Sequence, residues 1–309
     1  MGRRSQVVRQ RSAKPLSAGS IPAVASNFSL PSDFSFPSTV ESHGWYLLAP
    51  FRWEKGILHR PEMLPGGPVD LEIRARRSVL EVRGAPPSEA LSQRIGRMFQ
   101  LTVDLADFHR LAADSDPHRW VVDAKFGRLL CGSTLWEDAV KIITTTNTTW
   151  GQTKRMVALL VEKCGRRTPS GSAAFPEPDD VARFSPEELQ QDCRLGYRAK
   201  SVHSLAAGIL DGTFDLAAIS NRSQSTAELY RAYQQLPGIG PYGAAHLLAM
   251  DGRHEFIAVD SEFRRFVRET YHGGRTVSDK AMVRRYAKWG RWKYLAYWSE
   301  LWDSVADAL

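Results

Sequence analysis

One short segment of the chain combines residue types and spacing that suggest chemistry, Leu236-Pro237-Gly238-Ile239-Gly240. Glycine leaves the backbone amides of a turn unshielded, and free N–H groups where a helix begins bind phosphate oxygens. A carboxylate, Asp260, lies downstream of this segment. A positioned carboxylate can stabilise a developing positive charge or orient a water molecule. The alternative interpretation is an ordinary tight turn between two helices.

Helical signals surround the glycine segment. Upstream, Ser225 and Glu228 have the spacing of a capping box, and downstream Pro241 occupies a position where proline opens a helix at little cost. The sequence therefore predicts two helices joined by a hairpin over residues 226–250. The amides that we expect to face a phosphate are those of Gly238, Ile239 and Gly240.

Asp260 is followed by apolar residues at helical spacing, Phe263, Phe266 and Val267. This pattern makes Asp260 a candidate helix N-cap, which would be a purely structural role. The N-cap position also predicts an ionised carboxylate, because the positive end of the helix dipole favours the charged form. The structural and chemical roles are therefore compatible.

The hairpin at residues 236–245, together with Val259-Asp260, resembles the helix-hairpin-helix (HhH-GPD) DNA glycosylase superfamily. Residues 134–163 and 175–200 also resemble its 8-oxoguanine and alkylpurine (3-methyladenine) branches, and residues 289–298 resemble the C-terminal helix of the bacterial alkylpurine enzymes. The resemblance covers about residues 116–309. Residues 43–115 fit more loosely, as the small β domain that precedes the helical body in those branches.

The resemblance implies a role for three residues in particular. Asp260 matches the catalytic aspartate, which would stabilise an oxocarbenium-like sugar while water cleaves the N-glycosidic bond. Tyr242 stands where bifunctional members carry a lysine nucleophile, and an aromatic ring there can stack on an alkylated purine. Asn147 matches the residue that fills the gap left by an extruded base. The residues expected to contact DNA are Asn147, Tyr197, Arg198, Gly238, Ile239 and Gly240.

Each of these roles has a structural alternative. Tyr242 could simply pack the hairpin. Asn147 could belong to an Asn/Thr turn that caps a helix from Gln152, with Trp150 packed beneath the turn. Histidines show no spacing of metal ligands, so no metal site is expected.

The expected fold is α+β and mainly helical. Residues 1–42 are expected to be a disordered basic tail, because they are rich in Ser, Pro, Ala and Arg with little periodicity. Residues 43–115 are expected to form a small antiparallel sheet followed by a helix from about Ser88 to Phe99, since apolar and polar residues alternate from Val69 to Val82. Residues 116–309 form the predicted helical glycosylase domain.

Composition limits the possible partners and cofactors. The formal net charge of +7 is concentrated at the two ends of the chain: residues 1–40 hold five basic residues and one acidic, and residues 264–293 hold ten basic and two acidic. Such surfaces attract phosphates, although a solvated helix face is the alternative. The three cysteines match no zinc or disulfide spacing, and none follows Cys193, so no iron–sulfur cluster is expected. Hairpin carbonyls of the kind that bind a monovalent cation in relatives are also present.

The sequence thus predicts a monofunctional DNA glycosylase of base excision repair that extrudes a damaged purine from double-stranded DNA, and an alkylated purine is the expected substrate. It would act like 3-methyladenine DNA glycosylase II, as a hydrolase without β-lyase activity. An 8-oxoguanine-type glycosylase and a non-catalytic protein that binds DNA structure are the alternatives. We expect a monomer that is not secreted and not membrane-bound, located with the nucleoid in a prokaryote or in the nucleus of a eukaryote, although the basic N-terminus also resembles an organelle transit peptide.

Overall fold

A computed structural model describes residues 25–220 and 223–306. The fold is α+β and mainly helical, as the sequence predicts: a small antiparallel sheet precedes a helical body. No helix in the described part of the chain combines the length and the apolarity needed to cross a membrane.

Five antiparallel strands form one sheet in the order β1-β5-β4-β3-β2. The strands are β1 (Ala25–Ser29), β2 (Arg52–Glu54), β3 (Ile57–Leu64), β4 (Gly67–Arg76) and β5 (Val79–Arg83). The alternation predicted for β4 and β5 buries one face of each strand, with Leu71, Ile73, Leu80 and Val82 all at most 1% exposed. The side chains on that face are part of the hydrophobic core.

The predicted boundary of the N-terminal tail is wrong. Residues 25–29 form β1, which pairs with β5 from Ala25 opposite Arg83 to Ser29 opposite Val79. Phe34 and Phe36 then enter the core. An edge strand of Ala, Ser, Asn and Phe is stabilised by its backbone ladder, so it leaves no periodic apolar signal. The part of the predicted tail before residue 25 lies outside the described residues.

Helices make up most of the remaining chain. In its first half they are α1 (Phe36–Val40), α2 (Glu89–Met98), α3 (Ala106–Ala113), α4 (Trp120–Asp123), α5 (Leu135–Thr145) and α6 (Trp150–Cys164). In its second half they are α7 (Pro178–Val181), α8 (Pro186–Asp192), α9 (Arg198–Leu210), α10 (Leu216–Ile219), α11 (Thr226–Tyr233), α12 (Pro241–Met250), α13 (Ser261–His272), α14 (Asp279–Arg284) and α15 (Lys293–Ala306). Short 3-10 turns occur at Gly44–Leu47, Asp116–His118 and Ala287–Trp292.

The predicted helix starts are confirmed where local capping signals exist. Ser88 caps α2, which ends one residue before the predicted Phe99. Ser225 and Glu228 form the predicted capping box at the start of α11, which satisfies two backbone donors reciprocally. The buried apolar side chains of the sheet and of the helices form one contiguous cluster, whose members range from Phe34 to Leu301. The sheet and the helices therefore share one core.

A buried network of charges joins the sheet to α5. The Arg60 guanidinium of β3 lies 2.7 Å from Glu137 and also pairs with Glu62, while Arg94 of α2 lies 2.8 Å from Glu62. Lys141, one turn along α5, lies 2.7 Å from Glu137 and is fully buried. Burial lowers the pKa of Lys141, partly offset by Glu137. Burial alone would raise the pKa of Glu137, but Arg60 and Lys141 hold it well below its usual range.

This network predicts unequal effects for its two members on α5. Glu137→Gln leaves Lys141 without a carboxylate partner and should lower the free energy of unfolding by about 3–5 kcal/mol. Lys141→Met should cost less, because Glu137 keeps Arg60. Urea denaturation followed by tryptophan fluorescence measures both values, and an equal or larger loss for Lys141→Met would contradict this account.

Candidate functional site

The hairpin between α11 and α12 exposes part of its backbone. Gly238 adopts a positive φ of 80°, and Gly240 is the N-cap of α12, with Pro241 in the first position of the helix. Gly238 and Gly240 are exposed, and their amides make no hydrogen bond within the described residues. The expectation for Ile239 is wrong: its amide donates to the Leu236 carbonyl over 3.0 Å and closes the turn. Two amides, rather than three, therefore remain available to a phosphate.

Asp260 is the N-cap of α13, as its sequence context predicts. Its Oδ1 accepts a hydrogen bond from the Phe263 amide over 2.7 Å. The helix end does not decide the pKa of this carboxyl. Burial raises the pKa of Asp260, and the Phe263 amide and Arg264 offset this only in part. Desolvation of a half-buried carboxylate thus outweighs the favourable helix end.

Tyr242 lies in the first turn of α12 and is half-buried. Burial and, to a smaller extent, the negative charge of Asp260 raise the pKa of Tyr242 to about 12, against a hydrogen bond with Thr145 that lowers it. Burial, again with Asp260 as a further cause, also raises the pKa values of Tyr294 and Tyr297. Asp260 therefore shares its surroundings with three phenols that stay protonated at neutral pH.

An aromatic wall extends from Tyr242 to α15. His246, one turn after Tyr242, meets it edge-on with 4.6 Å between ring centroids. The His246 Nδ1 lies 3.3 Å from the Tyr294 hydroxyl, and Tyr294 stacks on Trp298 with centroids 5.9 Å apart. Burial lowers the pKa of His246 to about 4, so its ring is neutral at physiological pH. Flat, neutral rings of this kind suit a planar ligand.

Sequence reasoning missed His246 and Tyr294 as site residues. The i, i+4 spacing of Tyr242 and His246 on one predicted helix could have identified His246. Tyr294 had no such signal, because its approach to α12 depends on the packing of α15.

Asn147 lies in the turn between α5 and α6, is exposed and has a positive φ of 46°. The helix cap in this turn is Thr149, which accepts from the Gln152 amide, so Asn147 does not cap α6. Its Nδ2 lies 3.3 Å from the hydroxyl of Tyr197, which is 61% exposed. Asn147 and Tyr197 therefore form one exposed polar and aromatic surface.

Arg198 does not face solvent as a direct DNA contact would require. Only 7% of it is exposed. Its guanidinium donates to the Thr146 carbonyl and to the Asn147 carbonyl, the latter over 3.2 Å, and it lies 4.6 Å from the centre of the Tyr197 ring. Arg198 is thus a support of the Asn147 turn, and a buried guanidinium on two carbonyls holds that turn in place.

Metal ligands do not converge within the described residues: no three His, Cys, Asp or Glu side chains lie close enough together to hold an ion. The monovalent cation expected at the hairpin carbonyls stays a prediction. Of those carbonyls, that of Leu236 already accepts the Ile239 amide.

A family model described as "HhH-GPD superfamily base excision DNA repair protein" matches residues 140–291, which include the Asn147 turn, the hairpin and Asp260. This segment belongs to the HhH-GPD superfamily. No functionally curated protein matches its sequence.

Solved structures share the fold of this superfamily member over nearly its full length. MBOgg1 in complex with a low-affinity DNA ligand matches with a TM-score of 0.76 and 17% identity, over 93% of this chain and 98% of the other. The 8-oxoguanine glycosylase/lyase of Clostridium acetobutylicum bound to DNA matches with a TM-score of 0.72 and 17% identity, over 90% of this chain and 93% of the other. The 3-methyladenine DNA glycosylase of Archaeoglobus fulgidus matches with a TM-score of 0.74 and 19% identity, over 90% of this chain and 98% of the other. The fold therefore does not distinguish the two branches.

The support that Arg198 gives to the turn can be measured without DNA. Arg198→Ala removes hydrogen bonds from a charged donor, each worth about 1.5–3 kcal/mol. We expect amide hydrogen exchange in residues 145–149 to become about tenfold faster or more, with little change elsewhere. Lys200→Ala, at an exposed position in the same helix, is the matched control. Unchanged amide exchange in Arg198→Ala would show that the Asn147 turn is stable without the hydrogen bonds from Arg198.

Proposed function

We propose that this HhH-GPD protein is a monofunctional DNA glycosylase that hydrolyses the N-glycosidic bond of an alkylated purine. The observation that carries the proposal is the pairing of Asp260 with the neutral aromatic wall of Tyr242, His246, Tyr294 and Trp298. A purine alkylated at a ring nitrogen is cationic, and aromatic faces attract such a ring through the cation–π interaction. The same cation is drawn towards the Asp260 carboxylate.

In this mechanism the protein binds the sugar–phosphate backbone of the duplex, and the damaged base leaves the base stack of the DNA. The free amides of Gly238 and Gly240 and the N-terminus of α12 hold a phosphate. Asn147 fills the gap in the duplex, with Tyr197 beside it. Asp260, in its ionised form, stabilises the positive charge that develops on the sugar and orients the attacking water.

An 8-oxoguanine-type glycosylase is the second candidate, because the folds that match include this class over nearly their whole length. A non-catalytic protein that binds DNA structure is the third. Duplexes that each carry one defined lesion, with the free base scored by mass spectrometry, separate all three. Release of 3-methyladenine supports the proposal, release of 8-oxoguanine alone favours the second candidate, and binding without any release favours the third.

Asp260→Asn tests the catalytic role. Asparagine keeps the size and the capping ability of aspartate but not its charge, so base release should fall by at least about a hundredfold while lesion-DNA affinity changes only a few-fold. In the wild type the acidic limb of the pH–rate profile should lie above pH 3.9, the ordinary pKa of aspartate, because burial raises the pKa of Asp260. Substantial residual turnover would assign the chemistry to another residue.

Thermal unfolding of the same variant provides an independent readout. A raised pKa means that the folded protein prefers the protonated carboxyl, so the wild type loses stability as pH rises through the pKa of Asp260. Asp260→Asn cannot ionise and should be at least as stable as the wild type at pH 7. Its advantage should vanish as pH falls to about 4. A lower stability at pH 7 would show that the carboxylate contributes mainly as a cap.

Strand cleavage should be absent. A β-lyase step needs an amine that attacks the sugar, and residues 226–272 contain no lysine. The product should be an intact strand with an abasic site, and borohydride should trap no covalent protein–DNA adduct. Tyr242→Lys places an amine beside Asp260 and is the matched positive variant, expected to give weak trapping. Efficient trapping by the wild type would refute the monofunctional assignment.

A further inference from the structure

Exposed large apolar side chains are few in the described chain, and two of the five adjoin the Asn147 turn. The five that are large and exposed are Leu47, Val122, Trp150, Tyr197 and Leu210. Tyr197 is bonded to Asn147, and Trp150 begins the helix that follows the same turn. Leu47 ends the 3-10 turn that starts at Gly44, and Gly44 touches Trp150. Clustering of this kind marks a binding surface rather than scattered surface residues.

Gly44 supports Trp150 directly. A Cβ added at Gly44 would lie 2.5 Å from Cζ2 and 2.9 Å from Cη2 of the Trp150 indole, so the six-membered ring lies on the glycine backbone. The Trp150 side chain is nevertheless 37% exposed. The ring is therefore held on one side and open to a ligand elsewhere.

The position of Gly44 links this indole to the aromatic wall. Two residues before it, the Ser42 carbonyl accepts a hydrogen bond from the Trp298 indole over 2.8 Å. Trp150 thus packs on the chain segment that holds the Trp298 indole, and it begins the helix that follows the Asn147 turn.

Charge around Trp150 favours nucleic acid over a protein partner. The first turn of α6 contains no acidic residue. Lys154 and Arg155 follow one turn later, are exposed, and have no carboxylate within ion-pair distance in the described part of the chain. Exposed rings beside unpaired cations are the pattern by which proteins bind unpaired bases and their phosphates.

We infer that Trp150, braced on Gly44, stacks on the target base during its extrusion and so positions it for entry to the aromatic wall. Trp150 is a positioning residue, and the inference rests on the proposed function, since it assumes base extrusion. It predicts that Gly44 matters only because of Trp150. A side chain at Gly44 displaces the indole, because the three atoms nearest to an added Cβ all belong to Trp150.

A double-mutant cycle tests this with a readout of extrusion rather than of catalysis. The probe is 2-aminopurine as the target base of a duplex, whose fluorescence rises on unstacking. Trp150→Ala should slow the stopped-flow rise about tenfold, as expected for the loss of one base–aromatic stack, and Trp150→Phe should restore most of the rate. Gly44→Ala should match Trp150→Ala, and the double variant should be no slower than either. Leu210→Ala, at an exposed apolar position near the end of α9, is the matched control and should leave the rate unchanged.

The outcomes separate this inference from the proposed function. Wild-type extrusion rates in Trp150→Ala, wild-type rates in Gly44→Ala, or additive losses in the double variant would each overturn the role of Trp150. A protein that extrudes 2-aminopurine through Trp150 but releases no lesion base would refute the glycosylase proposal and leave the stacking role intact.

Discussion

The Glu137 carboxylate holds two cations inside the protein, Arg60 from the sheet and Lys141 from its own helix. Separation of buried charges leaves one of them unpaired in a medium of low dielectric, so the network strongly favours a single arrangement of sheet and helix. It lies at the start of α5, in which every residue from Leu135 to Thr144 is buried. Because α5 is a rigid helix, the ion pairs that hold its first turns on the sheet also determine the position of the Asn147 turn at its C-terminal end.

The hairpin packs against this same helix through glycines. A Cβ at Gly243 would lie 3.0 Å from Ile142, and one at Gly238 would lie 2.8 Å from the Ser201 side chain of α9. Larger residues would therefore push the hairpin away from α5 and α9. This close approach brings Tyr242 within reach of Thr145, two residues before Asn147. The Asn147 turn and the aromatic wall are thus parts of one packed unit, and their spacing does not depend on a flexible loop.

The parts of the fold and the site that could be predicted from the sequence are those set by short-range signals. The Ser225 capping box, the proline that opens α12 and the N-cap position of Asp260 each depend on neighbours within four residues, and each was predicted correctly. The strand β1 was missed because its pairing with β5 joins segments more than fifty residues apart and uses backbone rather than side chains. Arg198 was predicted as a DNA contact for a similar reason. Only the fold shows that its guanidinium donates hydrogen bonds to the carbonyls of the Asn147 turn.

The pKa of Asp260 depends on more than its local structure. The N-cap position was predicted correctly from the sequence, but the burial of the carboxylate depends on the fold, and burial has the larger effect on the pKa. A half-buried carboxylate among three neutral phenols has few nearby positive charges to stabilise its ionised form. In the proposed reaction, a cationic purine, or a sugar that develops positive charge, would supply the missing partner and lower the free energy of the anion. The fold destabilises the charged form of Asp260 in the absence of DNA, and under the proposed function that same feature would increase its attraction for the charge that forms during the reaction.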